Sequence, residues 1–159
     1  MTTGLLPPDR WAAVVRDAPL VSIDLIVSDT QGRVLLGHRI NRPAQGYWFV
    51  PGGVIRKGER LDAAFERLTL DELGIELPRS AARFAGLYEH HYPDNFSGSD
   101  FPTHYVVLAH RLQWPAQGAN IQLPKAQHTR YQWMSVDELL AHPQVHRHVK
   151  DYFSDVQIG

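Results

Sequence analysis

The sequence predicts an α/β or α+β sandwich built as a single domain over residues 1–159. Three observations carry this: β-branched strand patterns bounded by turn residues, helical patterns interleaved with them, and 43% apolar residues in a chain of 159, enough for one hydrophobic core. Pro7, Pro8 and Asp9 open a short helical pattern through Trp11, Val14 and Val15, which Pro19 ends because it lacks an amide donor and restricts the residue before it. Val21 to Val27 is β-branched and partly alternating; Asp29-Thr30-Gln31-Gly32 then supplies turn residues before Val34-Leu35-Leu36-Gly37, so a hairpin is expected. Further strands are expected at Tyr47 to Val50, Phe84 to His91, His104 to Leu112 and Tyr131 to Met134. Between them, Leu61 to Leu73 reads as a helix, and Ser135 with Glu138 forms a capping-box pattern that starts another.

Composition removes several classes of function. Sixteen Lys and Arg against seventeen Asp and Glu leave a formal charge of −1, so no global field draws the chain to nucleic acid or to an anionic membrane. With no cysteine there is no disulfide framework, thiolate zinc site, Fe–S cluster or Cys nucleophile. Met1 to Asp9 lacks a charged region leading into an apolar one, and no stretch reaches the roughly 18 apolar residues of a spanning helix. A soluble, cytoplasmic protein without a nucleic-acid or membrane partner is expected. Neither a repeat nor a low-complexity segment interrupts the chain.

Projected at 100° per residue, Leu61, Ala64, Phe65 and Leu68 share one stripe, and Glu72 falls in its middle. Ala63, Leu70 and Leu73 form a second apolar side, which suggests a helix packed between layers. A carboxylate directed at a core requires a partner, because burying it unpaired is costly. Two partners are open: a salt bridge to Arg67 or Arg60, or a metal ion.

Upstream lies Trp48-Phe49-Val50-Pro51-Gly52-Gly53, an apolar strand end followed by residues that let backbone carbonyls approach a ligand closely. Alone, Pro-Gly-Gly is a turn. Joined to Glu59 six positions after Gly53, Arg67 eight further on, and Glu72-Leu73-Gly74-Ile75, it resembles the Nudix box, a loop–helix–loop that holds a divalent cation against the diphosphate of a nucleoside-diphosphate substrate. Three positions depart from that pattern: Leu68 and Asp71 stand where glutamates are usual, and Thr69 where an aliphatic residue is usual. Leu68 removes a potential ligand from the face that carries Glu72, so one Mg²⁺ is expected, with Mn²⁺ as a substitute, since six hard oxygen donors can come from one carboxylate, carbonyls, water and substrate phosphate.

Beyond the box the chain is similar to the GDP-mannose mannosyl hydrolase branch of that family. The similarity runs through Pro19-Leu20-Val21-Ser22, Asn41 to Gly53, Ala63 to Thr69, Asp94 to Gly98, Thr103 to Val107 and Gln127-His128; Leu68 and Thr69 are normal in this branch. The resemblance implies an α/β/α sandwich with a mixed central sheet, a homodimer, and a nucleotide-sugar substrate, GDP-mannose first and GDP-glucose second, attacked by water at the anomeric carbon with inversion. It further implies a metal held by the Gly52 carbonyl, Glu72 and the Gln127 side chain, His128 as general base, Arg39 on the departing diphosphate, and Asp24, His90 and Tyr105 around the nucleotide and sugar. An imidazole with a pKa near its ordinary value of about 6.5 suits the role given to His128. The branch carries an arginine where this chain has Val54; Arg56, two residues on, is expected to replace it. Two competing functions stay open: a Nudix pyrophosphohydrolase cleaving at phosphorus, and a nucleotide-sugar binder without turnover.

Other constellations are read as bland. His142, His146 and His148 are expected in a solvated tail rather than at a zinc site, because Pro143 disturbs a helical register and no acidic third ligand is evident. Asn95-Phe96-Ser97 fits a glycosylation pattern but is read as a polar loop near the sugar pocket, with Tyr92, Phe96 and Phe101 as stacking or packing aromatics.

Overall fold

In a computed structural model of the chain, residues 5–115, 123 and 128–154 are described, positions 128 and 129 by their backbone only. Helix α1 spans Pro8–Asp17; β1 Leu20–Ser28 and β2 Val34–Arg39 follow, then the short strands β3 Trp48–Phe49 and β4 Gly52–Val54. Next come α2 Leu61–Leu73, β5 Arg83–Tyr92, β6 Thr103–Gln113, β7 His128–Met134, α3 Val136–Ala141 and α4 Arg147–Lys150. The sheet is mixed: β3-β2-β1-β6-β5 in order, with β4 added to β1 and β7 to β2. Strands β1 and β6 run parallel over their whole length, from Leu20 opposite Tyr105 to Ser28 opposite Gln113; the other pairings are antiparallel.

Two apolar layers flank this sheet, as the predicted sandwich requires. On one face Ile23, Leu25 and Val27 of β1 pack with Ala64, Phe65, Leu68 and Leu73 of α2. On the other, Ile26 packs with Leu139 of α3, Val149 of α4 and Tyr152. The alternation of a strand puts Ser22 and Asp24 on the same side as Ile26.

Several local signals are realised as read. Pro8 stands at the first helical position of α1, which ends just before Ala18 and Pro19. Helix α2 has the predicted bounds and ends on Gly74 at φ 76°, whose amide bonds the Leu70 carbonyl, a left-handed stop that suits glycine. Ser135 and Glu138 cap α3 reciprocally at 3.1 Å each. The Asp29 carboxylate holds the β1–β2 turn by accepting from the amides of Gln31 and Arg33.

Four expectations need correction. Beyond the turn, β1 and β2 pair only at Ser28 opposite Val34, because β2 is taken up by β3 and β7 and β1 by β4 and β6. Helix α2 is not packed between layers: Ala63 and Leu70 lie exposed, Leu70 at 49%, and Leu61 is 43% exposed, so one face alone is buried. The tail is not solvated, since His148 is buried in α4 and His146 is half-buried against Phe49 and Tyr92. Finally, Gly52–Val54 is itself a strand.

That strand exists because its glycines permit contact on both sides. A Cβ on Gly52 would lie 2.5 Å from the Ile23 carbonyl oxygen and 2.6 Å from Asp24 Oδ1; one on Gly53 would meet Leu68 Cδ2 at 2.5 Å. The first clash is with backbone, the second with the tip of a movable side chain. Gly52→Ala should therefore destabilise the fold by about 1–3 kcal/mol in urea denaturation and Gly53→Ala by less; equal, small losses would refute the tight β4 contact.

Candidate active site

A cleft of about 490 Å³ opens where β1 and β4 meet, with Asp24, Arg39, Gly52, His90 and Tyr105 all in its lining. These are five of the positions singled out from the sequence. The β1–β4 ladder aims the backbone. Leu25 N–H donates to Pro51 O and Ile55 N–H to Val21 O, each at 2.8 Å, and bonded pairs alternate with unbonded ones in an antiparallel ladder. Gly52, opposite Asp24, therefore turns its carbonyl away from β1, and among the described residues β4 pairs with no other strand.

Burial governs the charges. Asp24 is 7% exposed, and the loss of water pushes its carboxyl up to about 7 despite a hydrogen bond from Tyr152 and the nearby Arg39 charge. Glu72, also 7% exposed, is likewise raised to about 7 by burial, with Arg39 the largest opposing influence. It feels the charges of Asp24, Asp71 and Arg67 as well, and its charge adds to the burial that raises the Tyr131 phenol on β7 to about 12. Glu72 thus sits among α2, β7 and Arg39. Arg39, at the end of β2, is anchored by its Nε donating to the Pro43 carbonyl at 2.9 Å.

The salt-bridge alternative for Glu72 narrows accordingly. Arg67 forks onto Glu59 at 2.7 and 3.0 Å, donates to the Val54 carbonyl at 2.9 Å and reaches Asp71 at 3.4 Å. Glu59 also accepts from the Arg56 amide, and its carboxyl is held below the usual range chiefly by the Arg67 hydrogen bonds. This pair laces the loop after β4 to α2. Thr69 fastens the other end of the helix, where its hydroxyl donates to the Glu66 carbonyl and accepts from the Leu77 amide, tying down the segment that follows.

Not every expected residue faces the cleft. Val54 lines it, whereas Glu72, on the buried face of α2, and Arg56, past the end of β4, are not among the lining residues. Position 128 opens β7 directly opposite Arg39, so the backbone brings it beside a cleft residue. Gln127 lies outside the described residues. Asn95 is fully buried, with its amide donating to Asp100 and Phe101, and the adjacent Phe96 lines the cleft, in keeping with a loop beside the pocket. Sequence reasoning missed Tyr152, His146 and His148 behind the cleft, although Val145, Val149 and Tyr152 recur at helical spacing and mark a buried segment.

Among the described residues no group of three histidine, aspartate or glutamate side chains could hold a metal. The donors nearby, Glu72 and the Gly52 carbonyl, are nonetheless hard oxygens of the kind a divalent cation takes. They are a buried carboxylate whose desolvation disfavours its ionised form and a glycine carbonyl released from the ladder, and Mg²⁺ takes its remaining oxygens from water and substrate phosphate.

The fold matches known proteins. The NUDIX domain family model matches residues 18–154. Low-salt glycan biosynthesis protein Agl8 of Haloferax volcanii is 40% identical over 107 residues, 67% of each chain. An RNA pyrophosphohydrolase of Wolbachia sp. subsp. Brugia malayi is 25% identical over 125 residues, 75% of this chain and 76% of that one. Among solved structures, a MutT NUDIX hydrolase from Burkholderia pseudomallei superposes with a TM-score of 0.68 at 24% identity, covering 88% of this chain and 99% of the other. The arrangement is thus that of a Nudix domain, with loop, helix and mixed sheet in their family places. The chain belongs to the Nudix hydrolase family.

The raised carboxyls make stability depend on pH in a defined sense. Glu72 titrates at about 7 when folded and 4.5 when unfolded, so between these values the folded chain binds more protons and loses stability as pH rises. With chelator present, Glu72→Gln should flatten the decline in melting temperature between about pH 5 and 8, removing on the order of 2 kcal/mol of it. At the upper end, added Mg²⁺ should stabilise the native chain but not this variant; equal metal stabilisation of both would remove Glu72 from the site.

Proposed function

We propose that this protein hydrolyses a nucleoside-diphosphate sugar, GDP-mannose first and GDP-glucose second, at the anomeric carbon. The observation that carries this reading is the make-up of the buried face of α2. Leu68, at the position where a glutamate is usual in the box, lies against Gly53 instead, and Glu72 is the buried acid one turn on. Such a site can neutralise a departing diphosphate but is poor in the carboxylates that would assemble several metals to attack phosphorus. A divalent cation, Mg²⁺ or in its place Mn²⁺, held by Glu72, the Gly52 carbonyl and Gln127, supplies positive charge to the leaving group when bound.

The chain's residues then take separate parts. His128 accepts a proton from water while the water oxygen bonds to the anomeric carbon. The bond from that carbon to the diphosphate oxygen breaks, and the electron pair leaves with the diphosphate. Arg39, a planar fork at the cleft, offsets the charge that grows there. Asp24, His90 and Tyr105 bind polar groups of the nucleotide and sugar, and Arg56 supplies the second positive charge that Val54 does not. The products are GDP and free sugar with inverted configuration. A homodimer in the cytoplasm belongs to the same reading. The name of the Haloferax relative, a glycan biosynthesis protein, supports chemistry on activated sugars.

The likeness to an RNA pyrophosphohydrolase favours a second reading, cleavage between phosphorus atoms. Turnover of GDP-mannose with Mg²⁺ in ¹⁸O-labelled water separates the two. Label in the free sugar, with GDP as co-product, is expected; label in a phosphate product would establish the second reading, and saturable binding without product would leave a binding protein. In the same assay Arg56→Ala should slow turnover about tenfold and Lys57→Ala hardly at all; equal effects would remove Arg56 from the reaction.

A further inference from the structure

Behind the cleft, Asp24 and His90 are joined to a buried tyrosine that the proposed reaction does not use. Tyr152, two residues past α4 and 4% exposed, donates its hydroxyl proton to Asp24 Oδ2 at 2.5 Å, and its oxygen stands 3.3 Å from His90 Nε2. The tyrosine is firmly placed. Its ring meets Tyr88 edge-on at 4.7 Å, its carbonyl accepts from Arg111 Nη2 of β6 at 2.7 Å, and the same guanidinium lies over the adjacent Phe153 ring. His90 is equally confined. It stacks on His148 at 4.2 Å with rings 7° from parallel, and His148 is in turn tied by Nε2 to the His91 carbonyl at 3.3 Å.

A phenol has one proton to give. Because Tyr152 gives it to Asp24, the contact with His90 is a hydrogen bond only if His90 brings a proton on Nε2. Burial holds the His90 imidazole down to about 3, so the ring is neutral and carries a single N–H.

We propose that Tyr152 is a positioning residue for the cleft: its hydroxyl fixes the Asp24 carboxylate in place and locks His90 as the Nε2–H tautomer, leaving Nδ1 as an acceptor. The C-terminal segment thereby sets which hydrogen bonds the ligand can make. Asp24 becomes an acceptor on the cleft wall, and His90 Nδ1 can take a hydrogen bond only from a donor, so the pair favours a hydroxyl-bearing ligand over one that presents only acceptors. The consequence for substrate binding rests on the nucleotide-sugar reading; the tautomer does not.

Two measurements on the full chain separate these. Histidine ¹⁵N NMR at about pH 8.5, where Asp24 accepts only, with His90→Gln to assign the signals, should show His90 protonated at Nε2, and Tyr152→Phe should convert it to a tautomer mixture. Protonation at Nδ1 in the native chain, or a signal unmoved by Tyr152→Phe, would overturn the proposal whatever the substrate. With GDP-mannose, Tyr152→Phe should raise KM about tenfold and leave kcat within about twofold. Adding it to Asp24→Asn should cost less than it does in the native chain, since only the His90 arm is left to lose, whereas fully additive losses or an unchanged KM would overturn the role in binding. If no nucleotide sugar is turned over while the tautomer signal behaves as expected, the fault lies with the assigned reaction and the positioning role stands.

Discussion

The site depends on the passage of Gly52 and Gly53 between a strand and a helix with no room for a side chain. On one side the Ile23 carbonyl and Asp24 press against Gly52; on the other Leu68 presses against Gly53. A side chain on Gly52 would wedge β4 away from β1, and one on Gly53 would have to push Leu68 aside. The closeness of strand and helix brings a carboxylate of the central strand and a carboxylate of the helix into one electrostatic neighbourhood, with Arg39 as their shared countercharge. Both acids bear the cost of lost water, which disfavours their ionised forms.

The rest of the loop keeps that geometry rigid. Arg67 forks onto Glu59 and closes on the Val54 carbonyl, so the two charged residues most typical of the box act here as a brace. Thr69 fastens the exit of α2 through Leu77. Leu68 exchanges a possible ligand for apolar contact on Gly53. Each departure in the α2 sequence thus has a packing or hydrogen-bonding consequence, apart from Asp71, which only reaches Arg67 at the exposed surface.

Much of this was legible in the sequence because it is written in local chemistry. The bounds of α2 follow from its apolar period and Gly74, the start of α3 from its capping pair, and the inward turn of Glu72 from its place in the stripe. What was not legible is long-range. Nothing near Val21 to Gly37 says that β2 will leave its hairpin partner for β7, since that choice is made by a strand about a hundred residues later. Tyr152 escaped notice for the same reason: its hydroxyl meets Asp24 across 128 positions. The histidines of the tail looked polar and hence exposed, yet Val145, Val149 and Tyr152 carry His146 and His148 inward, where His148 stacks flat on His90.

The proposed function requires one buried acid, Glu72, to bind one hard cation beneath a diphosphate. Electron paramagnetic resonance of Mn²⁺ titrated into the metal-free chain with GDP present tests it most directly. One bound Mn²⁺ per chain, absent from a folded Glu72→Gln variant, is the expected result. The same Mn²⁺ occupancy without that carboxylate, or two or more ions per chain, would contradict it.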